Sequence, residues 1–252
     1  MNKLIIFLIL SLLWLNGFGQ RSTANDVALY CRMETTSFLD ESSNDNDGTN
    51  SGVTIVSGKV NNCGSFGSGD YIDFSNCDIS DAITLSGWVY MADNGANVML
   101  SQRTSGNSLQ IYSPNGGYKL QMLLWGTSIT SLATTSDVLT VNTWHYITGT
   151  YDGSNMKLYV DAVEEATAAA TGTLANIGSV IKCGTDDPGG SEYFNGKIDE
   201  IIIYLRALSL IEIKNHYAGG DGLFYITENL KNEKINFGEY CAYVAEYYTC
   251  TN

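Results

Sequence analysis

The chain has 252 residues, 44% of them hydrophobic and 16% charged, with 26 glycines and only 2 prolines, a globular composition long enough for one domain with a sizeable core. Its 27 acidic and 13 basic residues give a formal charge of −14 with no Lys/Arg cluster. That excludes nucleic acid and anionic membrane surfaces as partners, because affinity for phosphates comes from clustered basic side chains.

In chain order, the first segment reads as an export signal. Met1-Asn2-Lys3 is a basic start, Leu4 to Leu15 is apolar except for Ser11, and Gly17 and Gly19 place small residues before Gln20. Cleavage there predicts a signal peptide over 1–19 and a mature chain that is secreted or held at the cell surface. The apolar run is shorter than the ~20 residues a spanning helix needs, so no membrane span is expected after cleavage. Val27-Ala28-Leu29-Tyr30 opens the folded part as a strand, and a polar stretch from Ser37 to Ser51 follows. Strand-like runs continue at Val53 to Val56, at Phe66 to Phe74 as a hairpin around Gly67-Ser68-Gly69-Asp70, and at Ile83 to Tyr90. The middle strands are Val98 to Ser101, Leu109 to Tyr112, Tyr118 to Trp125 and Ile129 to Ala133. Trp144 to Tyr151 and Met156 to Val160 flank the turn residues Asp152-Gly153-Ser154-Asn155, which predicts a hairpin. Helical periodicity is confined to Ser209–His216, with Ser209 as cap and Glu212 in the first turn. Many strands, frequent turns and one short helix predict an all-β sandwich.

Six cysteines, Cys31, Cys63, Cys77, Cys183, Cys241 and Cys250, lie in the mature chain, an even number in a disulfide-permissive compartment. Fifteen connectivities are open. The Phe66–Phe74 hairpin would bring Cys63 near Cys77, Cys241 and Cys250 are close in sequence, and Cys31 and Cys183 then remain. No CxxC pair exists and His145 and His216 lack ligand spacing, which argues against zinc. Asp40-Glu41-Ser42-Ser43-Asn44-Asp45-Asn46-Asp47-Gly48 offers a dense set of oxygens of the kind calcium takes, and the same residues suit a solvated Asx-turn loop.

Several segments in one order carry a resemblance. They are Phe38-Leu39-Asp40 to Gly48-Thr49, Ser57-Gly58-Lys59, Gly69-Asp70-Tyr71-Ile72 and Thr84-Leu85-Ser86-Gly87-Trp88-Val89. Thr143-Trp144-His145, Tyr151-Asp152-Gly153, Leu158-Tyr159-Val160-Asp161, Phe194-Asn195-Gly196-Lys197-Ile198-Asp199-Glu200 and Tyr204-Leu205-Arg206-Ala207-Leu208-Ser209 complete them. Together they resemble the laminin-G-like, concanavalin A-like jelly roll of secreted bacterial proteins, related to pentraxins. The resemblance covers about residues 25–218. It departs at Ala162, where the family has Gly, and at Val60-Asn61, which replace a Gly pair.

The resemblance implies a two-sheet antiparallel jelly-roll β-sandwich over 20–218, with 219–252 as a Tyr-rich, Cys-containing extension. It also implies a structural calcium between the early loop and the Gly-Lys-Ile-Asp strand, held by Asp40 and Asp199 with Asn44, Asp45 and Asp47 nearby. Aromatics on an open sheet face would stack on sugar rings, and Tyr112, Tyr118 and Trp125 are the candidates. Catalysis is not expected. The E-x-D-x-x-E pattern of the superfamily's glucanases is absent, and the adjacent pairs Asp199-Glu200 and Glu164-Glu165 read as pointing to opposite faces of a strand. His145 and His216 stand near no nucleophile elbow. The reading is a secreted, non-catalytic carbohydrate-binding module, with a surface adhesion module for a protein partner as the alternative and a glycoside hydrolase as the least favoured.

Overall fold

The computed structural model describes residues 26–220 apart from 76, 78, 80–81, 105–106, 175–179 and 187–191. The predicted signal peptide and the Tyr-rich extension, with Cys241 and Cys250, therefore lie outside the described residues. Strands numbered β1–β15 in chain order form two antiparallel sheets. The larger holds β13 (Val163–Ala169), β12 (Asn155–Val160), β11 (Trp144–Tyr151), β6 (Ile83–Met91), β15 (Gly196–Tyr204), β4 (Asn62–Phe66) and β3 (Thr54–Ser57) in that order, with β1 (Val27–Cys31) also paired to β15. The smaller runs β10 (Ser131–Ala133), β9 (Gln121–Leu124), β8 (Asn107–Ser113), β7 (Asn97–Thr104), β14 (Ile181–Cys183), β5 (Tyr71–Phe74) and β2 (Thr49–Ser51). This is the sandwich expected from the sequence.

Alternation along the strands builds the core. Met122 and Leu124 of β9, Ile72 and Phe74 of β5 and Ile198, Ile201 and Ile203 of β15 face inward and are buried. Each such side chain contributes about 1.5–3 kcal/mol by leaving water. The β11–β12 hairpin forms as expected. Asp152 Oδ1 accepts from the N–H of Ser154 at 2.8 Å and of Asn155 at 2.7 Å, which closes the turn.

One expected hairpin is instead a corner. β4 pairs with β3 and β15 in the larger sheet, whereas β5 pairs with β2 and β14 in the smaller, so Gly67–Asp70 carries the chain from one sheet to the other. This corrects the Cys63–Cys77 pairing, because the corner separates the two cysteines rather than bringing them together. Cys31, Cys63 and Cys183 are buried free thiols, and Cys77 is buried with its Sγ toward the Ala28 carbonyl. Cys31 and Cys183 face the shared core from opposite sheets and are near enough to act on each other electrostatically, yet they are not bonded.

The outer face of the larger sheet is covered rather than bare. Helix α1 (Leu210–Gly220) starts on a capping box: Ser209 N–H donates to Glu212 Oε2 at 2.8 Å and Glu212 N–H to Ser209 Oγ at 3.4 Å. Its Ile213 packs with Trp88, Tyr146, Tyr159, Ile202 and Leu208, and Tyr217 stacks on the Trp88 ring at 5.5 Å. Trp88 is thus a buried residue on the outer side.

At the end of β15, Gly196 has φ 145°, and a Cβ there would lie 2.0 Å from the Tyr90 carbonyl oxygen. Gly196→Ala is expected to cost at least ~3 kcal/mol, because backbone on a central strand must move. Urea unfolding reads this directly, and a loss below ~1 kcal/mol would contradict it.

Candidate binding cleft and open face

A cleft of ≈ 480 Å³ opens at one end of the sandwich, lined by Ser68, Asp93, Asn115, Glu192, Tyr193 and Asn195 among others. The β6–β7 turn supplies Asp93. Its Oδ1 accepts the Gly95 N–H at 2.8 Å, and Asn97 donates its amide to the carbonyls of Asp93 at 3.2 Å and Gly95 at 3.0 Å. Asn97 Oδ1 in turn accepts the Asn195 N–H at 3.0 Å, and Asn195 Nδ2 donates to Asp93 Oδ2 at 2.6 Å. The Asn195 amide and then the Gly95 N–H hold the Asp93 carboxyl below its ordinary range. Glu192 shifts the other way: burial and the neighbouring Asp186 raise it, while Arg103 opposes.

From the cleft the open face of the smaller sheet runs back beside residues 184–186 and 192–194. Thr185 bridges Tyr193, and Ser101 Oγ donates to the Thr185 carbonyl at 2.7 Å. Across that face Gln110, Ser101, Lys182 and Asp73 lie side by side on β8, β7, β14 and β5. Lys182 pairs with Asp73 and sits 4.9 Å from the Tyr71 ring, and Arg103 pairs with Asp186. Gln110, only 2% exposed, has its Nε2 without a partner, as does Asp186 Oδ1. The open face is polar and partly roofed, not an apolar shelf.

The three predicted aromatics fall in different settings. Tyr112 is half-buried on β8, its hydroxyl donating to Gln121 at 2.9 Å. Burial, then the Glu192 charge, raises its pKa, and Arg103 opposes. Tyr118 precedes β9 in a loop, packs against the core edge, and its carbonyl accepts the N–H groups of Val138 and Leu139. Trp125 stands at the β9–β10 turn, 45% exposed. They do not form one stacking shelf. Asp93, Glu192, Tyr193 and Asn195 were not legible as a site. Asp93 and Asn195 are 102 residues apart, and nothing in either local segment marks the other.

The expected calcium set also separates. Asp40 Oδ1 accepts the N–H groups of Tyr30 and Ser42, each at 2.9 Å, and Oδ2 accepts Ser42 Oγ–H at 2.7 Å and Asn46 N–H at 2.9 Å. Asp47 Oδ1 accepts the Asp40 N–H, while Asn44 and Asn46 donate their amides to the carbonyls of Val27 and Ala28. Asp45 occupies a left-handed turn position, φ 53°. Asp199 turns elsewhere, accepting the Lys59 N–H at 3.0 Å and the Val60 N–H at 2.9 Å. Among the described residues no three His, Cys, Asp or Glu side chains converge to hold a metal. Calcium needs six to eight oxygens free to face it; both Asp40 oxygens and Asp47 Oδ1 are directed at N–H and O–H donors, and Asp199 Oδ1 is buried without a partner. Among the described residues Asp40 and Asp199 are not joined in one ligand cluster.

Asp199 and Glu200 correct a second expectation. A bulge between Asp199 and Ile202, with Glu200 at φ 49°, brings both carboxyls to the outer face. There Glu200 accepts the Tyr30 hydroxyl at 2.6 Å and pairs with Arg32. Burial drives both upward, Asp199 to about 8 and Glu200 to about 7. At 0% and 5% exposure they are sealed from any substrate. His145 has partners the sequence did not reveal: Nδ1 lies 2.8 Å from Asp161, and Nε2 lies 2.9 Å from Thr140 Oγ1 and 3.2 Å from the Thr140 N–H. The Thr140 amide thus donates into the nitrogen that a general base would need free, and Asp161 also accepts the Tyr146 N–H at 2.9 Å. The set ties the loop before β11 to the β12–β13 turn.

Two antiparallel sheets with a polar cleft between the loops at one end define the chain as a β-sandwich of the jelly-roll class. Residues 66–214, more than half of the chain, match the laminin-G-type family of the concanavalin A-like lectin/glucanases superfamily, and the chain belongs to that family. Solved structures are similar in fold. The binding domain of Paraclostridial Mosquitocidal Protein 1 is 19% identical with a TM-score of 0.62, over 78% of this chain and 53% of that one. The receptor binding domain of botulinum neurotoxin D is 15% identical with a TM-score of 0.60, over 79% and 54%. Domain 4 of AbnA, an extracellular arabinanase from Geobacillus stearothermophilus solved in complex with arabinotriose, is 14% identical with a TM-score of 0.56, over 75% and 97%. The chain spans about half the length of the two toxin domains. No curated protein matches it. Among the described residues no helix is long and apolar enough to cross a membrane.

Proposed function

We propose that the chain is an exported, non-catalytic carbohydrate-binding module whose ligand occupies the end cleft and reaches toward Tyr112 on the open face. The carrying observation is the fixed Asp93–Asn195–Asn97 network beside Tyr193: carboxylate and carboxamide groups held in place suit sugar hydroxyls, and a phenol ring suits a sugar face. The partnerless Gln110 Nε2 and Asp186 Oδ1 add a donor and an acceptor on the adjoining face. Family membership and the arabinotriose complex of the AbnA domain support the same ligand class, and the apolar start of the chain supports export. The sealing of Asp199 and Glu200 removes the one adjacent carboxyl pair in β15 from catalysis.

A glycan and polysaccharide array with the full chain tests this, alongside an assay for released reducing ends. Saturable binding that Tyr193→Ala weakens about tenfold or more is the expected result. Release of reducing ends, abolished by Glu192→Gln, would overturn the non-catalytic half. A folded protein that binds no glycan would overturn the carbohydrate half and favour a protein partner.

A further inference from the structure

Beyond buried Trp88, the outer face of the larger sheet carries a half-exposed row that the cleft does not use and whose Trp144 extends the Trp88 cluster. Trp144, Tyr90 and Lys197 lie side by side on β11, β6 and β15. The Tyr90 and Trp144 rings are 5.6 Å apart, and Lys197 Nζ is 5.3 Å from the Tyr90 ring. One row along, Lys59 Nζ lies 4.5 Å from the Trp88 ring. Of the acidic groups nearby, Asp199 is turned to backbone amides, Glu200 is engaged by Tyr30 and Arg32, and Glu34 by Arg32, Asn61 and Asn62. The row is therefore aromatic with two lysines over its rings, and the carboxyls around it already have partners, in a chain that is acidic overall.

We propose that this face docks the chain's own C-terminal segment, the 32 residues that follow Gly220. Three observations favour this occupant. The chain leaves the described structure beside the face, since Tyr217, three residues before Gly220, stacks on Trp88. The Trp144–Tyr90–Lys197 row is two residues along the strands from the Tyr146–Trp88–Asp199 row, a step of about 7 Å that the segment easily spans. The segment is complementary in charge and type: Asp221, Glu228, Glu233, Glu239 and Glu246 outnumber Lys231 and Lys234, and Tyr240, Tyr243, Tyr247 and Tyr248 are grouped near its end. Covalent tethering makes the contact intramolecular, with an effective concentration on the order of millimolar, so modest aromatic and charge contacts suffice.

Zero-length carbodiimide cross-linking of the full chain, as an equal mixture of ¹⁴N- and ¹⁵N-labelled protein, is read by mass spectrometry together with amide hydrogen exchange. The expected result is Lys197 or Lys59 joined to Glu239 or Glu246 within one isotopic chain. Residues 221–252 should also exchange about tenfold or more slowly than an unfolded peptide, and Trp144→Ala and Lys197→Glu, each verified as folded by circular dichroism, should abolish that protection. Links only between unlike isotopes would make a second copy the occupant and overturn the proposal. So would unprotected exchange in the unmodified chain, or protection that survives both substitutions.

Discussion

Replacing Asp40 by alanine is expected to destabilise the protein by about 3 kcal/mol, while EDTA and added calcium leave the melting temperature unchanged within ~1 °C. The carboxylate of Asp40 joins β1 to the loop that follows it: Tyr30 N–H comes from the strand, and Ser42 N–H, Ser42 Oγ–H and Asn46 N–H come from the loop. Its removal leaves three backbone N–H groups without that acceptor. Asp40→Asn should cost less, because one oxygen still accepts from Tyr30 and Ser42 while only the second position changes from acceptor to donor. Chemical unfolding and thermal melts of the two variants, with and without 5 mM-scale chelator, separate the readings. A melting temperature that rises by several degrees with calcium, and no longer does so in Asp40→Ala, would restore the metal-bound loop.

Acid should weaken the protein through His216. Its Nε2 lies 2.9 Å from the Tyr204 hydroxyl within α1's contact with the sheet, and burial lowers its pKa from 6.5 to about 4. Glu212 opposes the shift and Arg206 adds to it. The folded state therefore prefers the neutral ring. Above pH 6.5 folded and unfolded chains both carry neutral His216 and the full stability is present. Between 6.5 and 4 the unfolded chain takes up the proton first, so stability falls as pH falls and levels off once the folded ring is also protonated. A difference near 2.5 pH units corresponds to about 3 kcal/mol. His216→Gln keeps a polar partner for Tyr204, donor or acceptor, without the titration. The stability difference between this variant and the natural chain should narrow, or reverse, from pH 7 to pH 4.5. A difference that stays constant over that interval would contradict the account.

How much of this could be read from the sequence depends on whether the information was local. The β11–β12 hairpin was legible because Asp152-Gly153-Ser154-Asn155 carries its own turn chemistry, and α1 because Ser209 and Glu212 form a capping box. The Gly67–Asp70 segment has equally good turn residues, but a turn within one sheet and a corner between two use the same residues, and only strand pairing tells them apart. The Glu200 bulge was hidden for a similar reason: strict alternation assigns neighbours to opposite faces until one extra residue breaks the register. β13 escaped notice because an edge strand with an exposed face shows little apolar alternation in Val163-Glu164-Glu165-Ala166. The early loop displayed its oxygens, but composition could not say whether a cation or the loop's own N–H groups would claim them. The cleft was least legible of all, since its polar groups come from the β6–β7 turn, the β8–β9 loop and the segment before β15.

The central claim is that specificity resides in the end cleft, and the most direct test is titration calorimetry with the array's strongest oligosaccharide on the natural chain, Asp93→Ala and Trp125→Ala. Loss of a charged hydrogen-bonding group from the cleft is expected to weaken binding about 10- to 100-fold in Asp93→Ala, and Trp125→Ala should change it less than about twofold. The reverse order, with Asp93→Ala unchanged and Trp125→Ala inactive, would move the site to the β9–β10 turn and contradict the cleft assignment.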